Sequence, residues 1–304
     1  MPDLDHLLAG SSRTFALTIP LLPEPVRSEV TLAYLLFRVA DTLEDSDRWP
    51  PARRAQALRT FEALLEKRTA PDAFAAFARA LRDDPPSHEP GYRALTDELP
   101  AVFEALSGLS PRAREVIVKH LLVTARGMAE GLEAETDDHF RLRSLAQLKR
   151  YCYLVAGVVG EMLTELFLLA SPPLGAAGST LRQHARAFGE GLQLTNILKD
   201  ASADAREQRH FIPEQLELPS LFELARNDLA DAARYVGALV TARAPQGVVA
   251  FTALPVRLAL DTLAEVERRG AGAKISREQL AEAMSEVQAL LRGERNLDAV
   301  LRAR

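Results

Sequence analysis

Apolar positions recur along this chain with the three-to-four-residue period of helices, and nowhere does a sustained strand-like alternation appear. Val26–Leu43 is apolar almost all round, which predicts a buried helix. Ala52–Lys67 carries one apolar stripe and reads as an amphipathic surface helix. Ala73–Asp83 is shorter and is stopped by Asp83-Asp84-Pro85-Pro86. Pro111–Thr136 predicts a long helix with proline in its first turn. Leu145–Leu169 is ended by Ser171-Pro172-Pro173, and Thr180–Asp204 precedes an irregular stretch through Pro213 and Pro219. Leu221–Thr241, Val248–Arg269 and Arg277–Arg292 complete the set. The linkers are short, none is of low complexity, and no internal repeat stands out. The pattern therefore predicts an all-α fold, one large helical bundle spanning residues 1–304 as a single domain.

Composition narrows this further. A hydrophobic share of 47% with 26% charged residues suits a globular chain with a sizeable core. A net charge of -5 lacks the general footprint of a nucleic-acid binder, although a local basic pocket for an anionic substrate remains compatible with it. The single cysteine, Cys152, excludes an intrachain disulfide and fits a reducing cytoplasm. The acidic start, Met1-Pro2-Asp3-Leu4-Asp5, has no signal-peptide pattern. No uncharged apolar run reaches the ~18–20 residues of a membrane helix. The nearest candidate, Leu154–Ala170, is interrupted by Glu161 and Glu165, and the tail Arg302-Ala303-Arg304 is no hydrophobic anchor. The expectation is a cytoplasmic monomer whose membrane contact is at most peripheral.

Candidate chemistry lies in two acidic motifs. In Asp41-Thr42-Leu43-Glu44-Asp45, the two aspartates are four apart and share one helix face, where like charges repel. They follow directly on the apolar run 33–40, so they call for a compensating cation. In the second motif, Gln193, Asn196, Asp200 and Asp204 put four oxygen donors on one face, amid Leu192, Leu194, Ile197 and Leu198. Oxygen-only donors suit Mg²⁺, which keeps waters and shares substrate phosphates. Two such faces opposed across a bundle would hold Mg²⁺ against a diphosphate and assist its departure. A lone Asp-x-x-x-Asp on a helix is ordinarily a solvated face; the pairing of two such motifs, each beside apolar sequence, turns the reading toward metal.

An ordered set of residues then points to a family. It comprises Ser12-Arg13-Thr14-Phe15, Tyr34, Arg38, Asp41-x-x-x-Asp45, the run Tyr151-Cys152-Tyr153-Leu154-Val155-Ala156-Gly157-Val158-Val159-Gly160, Gln193-x-x-Asn196-x-x-x-Asp200-x-x-x-Asp204 and Arg209-x-Phe211-x-Pro213. This set resembles squalene/phytoene synthases from about residue 11 to 277. The resemblance implies an all-α isoprenoid synthase fold with a central cavity, and head-to-head (1′–1) condensation of two isoprenyl diphosphates through presqualene or prephytoene diphosphate. It implies Mg²⁺ held by Asp41, Asp45, Asn196, Asp200 and Asp204. Ser12, Arg13, Arg38, Gln193, Asn196 and Arg209 would meet the diphosphate, and Tyr34, Tyr151 and Arg38 would stand at the reacting carbons. Asp41-Thr42-Leu43-Glu44-Asp45, Gly127-Met128-Ala129 and Phe251-Thr252-Ala253-Leu254-Pro255 look closer to squalene synthases, which add an NADPH reduction. Lys274 and Arg277 are the residues implied to hold that cofactor. Several departures leave alternatives open. Ser276 stands where a cation is expected, Phe211 where a tryptophan is typical, Lys199 where an arginine is common, and Ser202 and Ala203 where an acidic residue is often seen. A member that stops at presqualene diphosphate, or makes dehydrosqualene or phytoene without reductant, and a non-catalytic assembly-factor relative both stay in view. Ser12 could serve only as a helix cap, Arg38 could simply pair Asp41 or Glu44, and Cys152 reads as an inert buried thiol.

Overall fold

The computed structural model describes residues 4–12, 15–67, 71–134 and 140–302. Among these the chain is all-α, apart from two strands of two residues each. It forms two compact units, residues 1–20 with 24–138, and residues 21–23 with 139–304.

In the first unit α1 (Leu4–Ser11), α2 (Phe15–Thr18), α3 (Val26–Glu44), α4 (Pro51–Lys67), α5 (Pro71–Asp83), α6 (Pro90–Asp97), α7 (Leu99–Gly108) and α8 (Pro111–Glu133) follow in order. As its all-round apolar pattern predicts, α3 is the core helix: Ala33, Leu35, Leu36, Val39, Ala40 and Leu43 are fully buried. Each such leucine or valine contributes roughly 1.5–3 kcal/mol by leaving water. α8 packs on α3 and on α4, and Phe61 of α4 joins Phe77 of α5 and Phe103 of α7 at centroid distances of 6.4 and 6.0 Å. The sequence pattern does not predict α1, α6 or α7. For α6 and α7 the reason is proline, which sits in the first turn of each, where its missing N–H costs nothing. The same holds for α12, which begins at Leu218, ahead of Pro219, rather than at 221.

The second unit runs β1 (Phe140–Arg141), α9 (Leu145–Cys152), a π-helical turn (Tyr153–Gly157), α10 (Val158–Ala170), α11 (Gly178–Arg206), β2 (Arg209–His210), α12 (Leu218–Thr241), α13 (Gln246–Arg269), α14 (Arg277–Leu291) and α15 (Leu297–Val300). α11 is its axis, with α10, α12, α13 and the π turn packed around it. The backbones of neighbouring helices touch here. A Cβ on Gly189 would lie 1.9 Å from the Ala156 carbonyl oxygen, and one on Gly160 would lie 2.0 Å from that of Ala185. The small residues of 155–160 thus serve packing, as the sequence suggests. Fully buried Tyr235 of α12 shares a 2.9 Å hydrogen bond with Thr164 of α10. Arg257 of α13, 1% exposed, donates to Asp261 at 2.6 Å and to Glu286 of α14 at 2.9 Å, and so ties the last two long helices together. The helical stretches 145–170 and 246–269 are long and apolar enough to cross a membrane, and both contribute helices that pack against α11. β1 and β2 pair in parallel, Phe140 with Arg209 and Arg141 with His210.

Candidate active site

The first acidic face belongs to α3. Tyr34, Arg38, Asp41 and Asp45 fall at intervals of four, three and four residues, one stripe of the helix. Asp45 is the C-cap, its N–H donating to the Asp41 carbonyl at 2.8 Å. Both carboxylates therefore sit where the helix dipole is negative, a placement unfavourable by about 0.3–1 kcal/mol for each anion. Cations answer it. Arg38 Nη1 lies 3.3 Å from Asp41 Oδ2, and Arg54 of α4 donates to the Glu44 carbonyl at 2.8 Å. Tyr34 donates its proton to the Ser11 carbonyl (2.9 Å) and accepts from Arg38 Nε and Nη2 at 3.3 and 3.2 Å. Burial disfavours the Arg38 charge, but Asp41 and Tyr34 outweigh it, so the guanidinium is held even more firmly protonated than usual. Its centre lies over two rings, 5.5 Å from Tyr34 and 5.8 Å from Tyr92. Tyr92, on α6, is a neighbour that no spacing pattern in the sequence signals. Ser12 Oγ accepts the Phe15 N–H at 3.0 Å, the capping use of that side chain. Arg13 lies outside the described residues.

The second acidic face belongs to α11, which presents Gln193, Asn196, Asp200 and Asp204 along its last turns. By the helical rise these span roughly 16 Å. Asp204 lies in the last turn of α11, unfavourable for an anion for the same reason, and Asp200 sits one turn further in. Lys199 Nζ reaches Asp200 Oδ2 at 3.1 Å and Asn196 Oδ1 at 3.4 Å, so this lysine gathers two members of the motif. The loop after α13 docks at the same place, the Gly272 N–H donating to the Lys199 carbonyl at 2.7 Å. Lys274 and Arg277 follow this contact in the chain, and both are exposed. Ser276, between them, caps α14 in a reciprocal capping box with Gln279.

Past the end of α11, the short β1–β2 pair sets an aromatic trio. Tyr151, Phe140 and Phe211 have ring centroids 5.0–5.6 Å apart. The Arg209 guanidinium lies 5.0 Å from the Phe211 ring. Tyr151 and Arg209 are thus brought together through Phe211, and Phe140 is the member that sequence reasoning missed. Cys152, next to Tyr151, is buried. That burial, then the Glu190 and Asp228 carboxylates, push its thiol up to about 12, which leaves no thiolate for chemistry near neutrality.

Against known proteins, residues 8–217 match the squalene/phytoene synthase family model. The chain belongs to the squalene/phytoene synthase family. Squalene synthase of Schizosaccharomyces pombe is 29% identical over 289 residues, covering 86% of this chain and 59% of its own length. That of Eremothecium gossypii is 31% identical over 214 residues, covering 69% and 45%. That of Bos taurus is 29% identical over 282 residues, covering 84% and 61%. The match therefore spans less than two thirds of these relatives' length. Among solved structures, a TcSQS–ligand complex superposes with a TM-score of 0.72 at 23% identity, over 99% of this chain and 96% of that one. A dehydrosqualene synthase complex gives 0.62 at 21%, over 95% of each. Squalene synthase HpnC from Alicyclobacillus acidocaldarius gives 0.57 at 17%, over 88% and 92%. The family's all-α fold is shared with all three.

Proposed function

We propose that this family member is a Mg²⁺-dependent prenyltransferase joining two isoprenyl diphosphates head to head, two farnesyl diphosphates giving presqualene diphosphate and then, with NADPH, squalene. The observation that carries the reading is that α3 and α11 each carry a stripe of oxygen donors with aspartates four residues apart. Within each pair the like charges repel, Asp41, Asp45 and Asp204 also face a negative helix end, and a divalent cation relieves both. Asp41 and Asp45 on α3, and Asn196, Asp200 and Asp204 on α11, are the residues that would hold Mg²⁺; their donor set is all oxygen, which fits that ion. Among the described residues no three acidic, histidine or cysteine side chains form a ready-made cage, and Mg²⁺ bound together with a diphosphate needs none. When bound, the metal neutralises the leaving diphosphate.

The chain's own groups do the rest. Arg13, Arg38 and Arg209 offer planar donor forks for phosphate oxygens, with the Ser12 hydroxyl and the Gln193 amide adding further donors. Tyr34, whose proton is engaged by the Ser11 carbonyl, contributes its ring face to a passing allylic cation, as does Tyr151 within its aromatic trio. The docking of the loop after α13 at Lys199, through Gly272, is what the structure offers toward the NADPH step, with Lys274 and Arg277 following in the chain. A second reading, a non-reducing member, is favoured by Ser276, whose hydroxyl is used as a cap where a cation is expected. All four aspartates are present, which speaks against a non-catalytic relative. We read residues 1–304 as one catalytic domain, since the family match over 8–217 runs into both compact units. We place the protein in the cytoplasm as a monomer with at most peripheral membrane contact, its two most apolar helical stretches being packed on α11.

The test is product analysis of the purified chain with farnesyl diphosphate and Mg²⁺, with and without NADPH. Squalene formed only with NADPH supports the full reaction. Presqualene diphosphate or dehydrosqualene in both tubes moves the protein to the non-reducing members. A product from geranylgeranyl diphosphate alone makes it a phytoene-type enzyme, and no product from either substrate overturns the catalytic reading.

A further inference from the structure

Tyr92 lies outside every motif above, yet its ring is one of the two that flank Arg38. Its position follows from an unusually close helix junction. A Cβ on Gly91 would lie 1.9 Å from the Gly10 carbonyl oxygen and 2.6 Å from its carbon, so α6 meets the end of α1 backbone to backbone and only glycine fits at 91. The next residue, Tyr92, is thereby brought to 5.8 Å from the Arg38 guanidinium. The same end of α1 supplies the Ser11 carbonyl that fixes the Tyr34 hydroxyl, and Tyr34 lies 5.5 Å from Arg38. One junction thus sets both rings.

We propose that Tyr92 is a positioning residue for diphosphate binding, its ring completing, together with Tyr34, a clamp on Arg38. This rests on the reading of Arg38 as a diphosphate contact. An arginine free to rotate loses much side-chain entropy when its donor fork engages a phosphate; one already held by the Tyr34 hydroxyl and the Tyr92 ring, with Asp41 3.3 Å away, loses less. The Tyr92 ring favours the guanidinium without consuming its donors, whereas the Tyr34 hydroxyl accepts from Nε and Nη2. Tyr92 acts through Arg38, and the part of it that matters is the ring, not the hydroxyl.

The experiment titrates inorganic pyrophosphate with Mg²⁺ into the full-length protein by calorimetry, and compares wild type, Tyr92→Phe, Tyr92→Leu, Arg38→Lys and Arg38→Lys with Tyr92→Leu. Tyr92→Phe is expected to bind within twofold of wild type and Tyr92→Leu about tenfold more weakly. In the Arg38→Lys background, Tyr92→Leu is expected to have no further effect. Steady-state kinetics with farnesyl diphosphate should show the Tyr92→Leu loss in KM, with kcat changed less than twofold. Equal binding by Tyr92→Leu and wild type overturns the clamp. So does a tenfold loss in Tyr92→Phe, which folds without the hydroxyl and keeps the test open if Tyr92→Leu does not fold. Wild type that binds no Mg²⁺–pyrophosphate overturns the diphosphate reading itself, a separate failure from that of the clamp.

Discussion

At the scale of single residues, this protein tolerates charge where a stable helix would avoid it. Asp41, Asp45 and Asp204 stand at helix C-termini, Asp200 lies one turn before Asp204, and Arg38 and Lys199 pair with Asp41 and Asp200. Such placement is unfavourable in itself, and the proposed Mg²⁺ would offset it. Asp41→Asn or Asp200→Asn should therefore lower the rate of pyrophosphate release by about 100-fold or more. The unfolding free energy should stay within about 1 kcal/mol of wild type, because the ion pairs lost are part-exposed. Pyrophosphate-release assays and urea denaturation would check the two halves of that statement. Full turnover in either variant would show that the metal is held elsewhere.

At the scale of elements, the π turn at Tyr153–Gly157 and the glycines beside it let α10 and α11 approach backbone to backbone. Gly189→Ala would force a Cβ to within 1.9 Å of the Ala156 carbonyl, which only a shift of one helix can relieve. Overpacking of this kind costs about 2–3 kcal/mol or prevents folding. Gly131→Ala on α8, where a new Cβ meets nothing within 4 Å, should instead stabilise by about 0.5–1 kcal/mol through helix propensity. Opposite shifts of the urea midpoint are the expected result; a neutral Gly189→Ala would contradict the close approach.

At the scale of the whole molecule, stability depends on pH through a half-buried acidic cluster behind α11. Burial first, then the charge of Glu190, push Asp228 of α12 up to about 6, against the pull of Lys149 and Arg186, with Asp231 adding to the rise. Glu190 is raised too, chiefly by burial. An unfolded aspartate titrates near 3.9. Between about 4 and 6 the folded chain thus holds more protons than the unfolded one, so stability falls as pH rises through that window and stays lower above it. Asp228→Asn should stabilise the protein by about 1 kcal/mol at pH 7.5, after allowance for solvent screening. The gain should vanish near pH 4. Denaturation curves at the two pH values would test this, and an unchanged midpoint at pH 7.5 would refute it.

The amino-acid sequence by itself determined the helical class, the burial of α3, the long helices and both oxygen-donor faces. Each of these is a local matter: period sets which residues share a helix face, and i, i+4 carboxylates share one wherever that helix ends up. Tertiary structure alone decided that Pro90 and Pro219 open helices rather than end them, since proline is compatible with either role until packing chooses. It alone placed Tyr92 beside Arg38, Phe140 beside Tyr151 and Gly272 against Lys199, residues separated by 54, 11 and 73 positions. Contacts of that kind arise from helix junctions and from a two-residue strand pair, and they leave no period in the chain to be read.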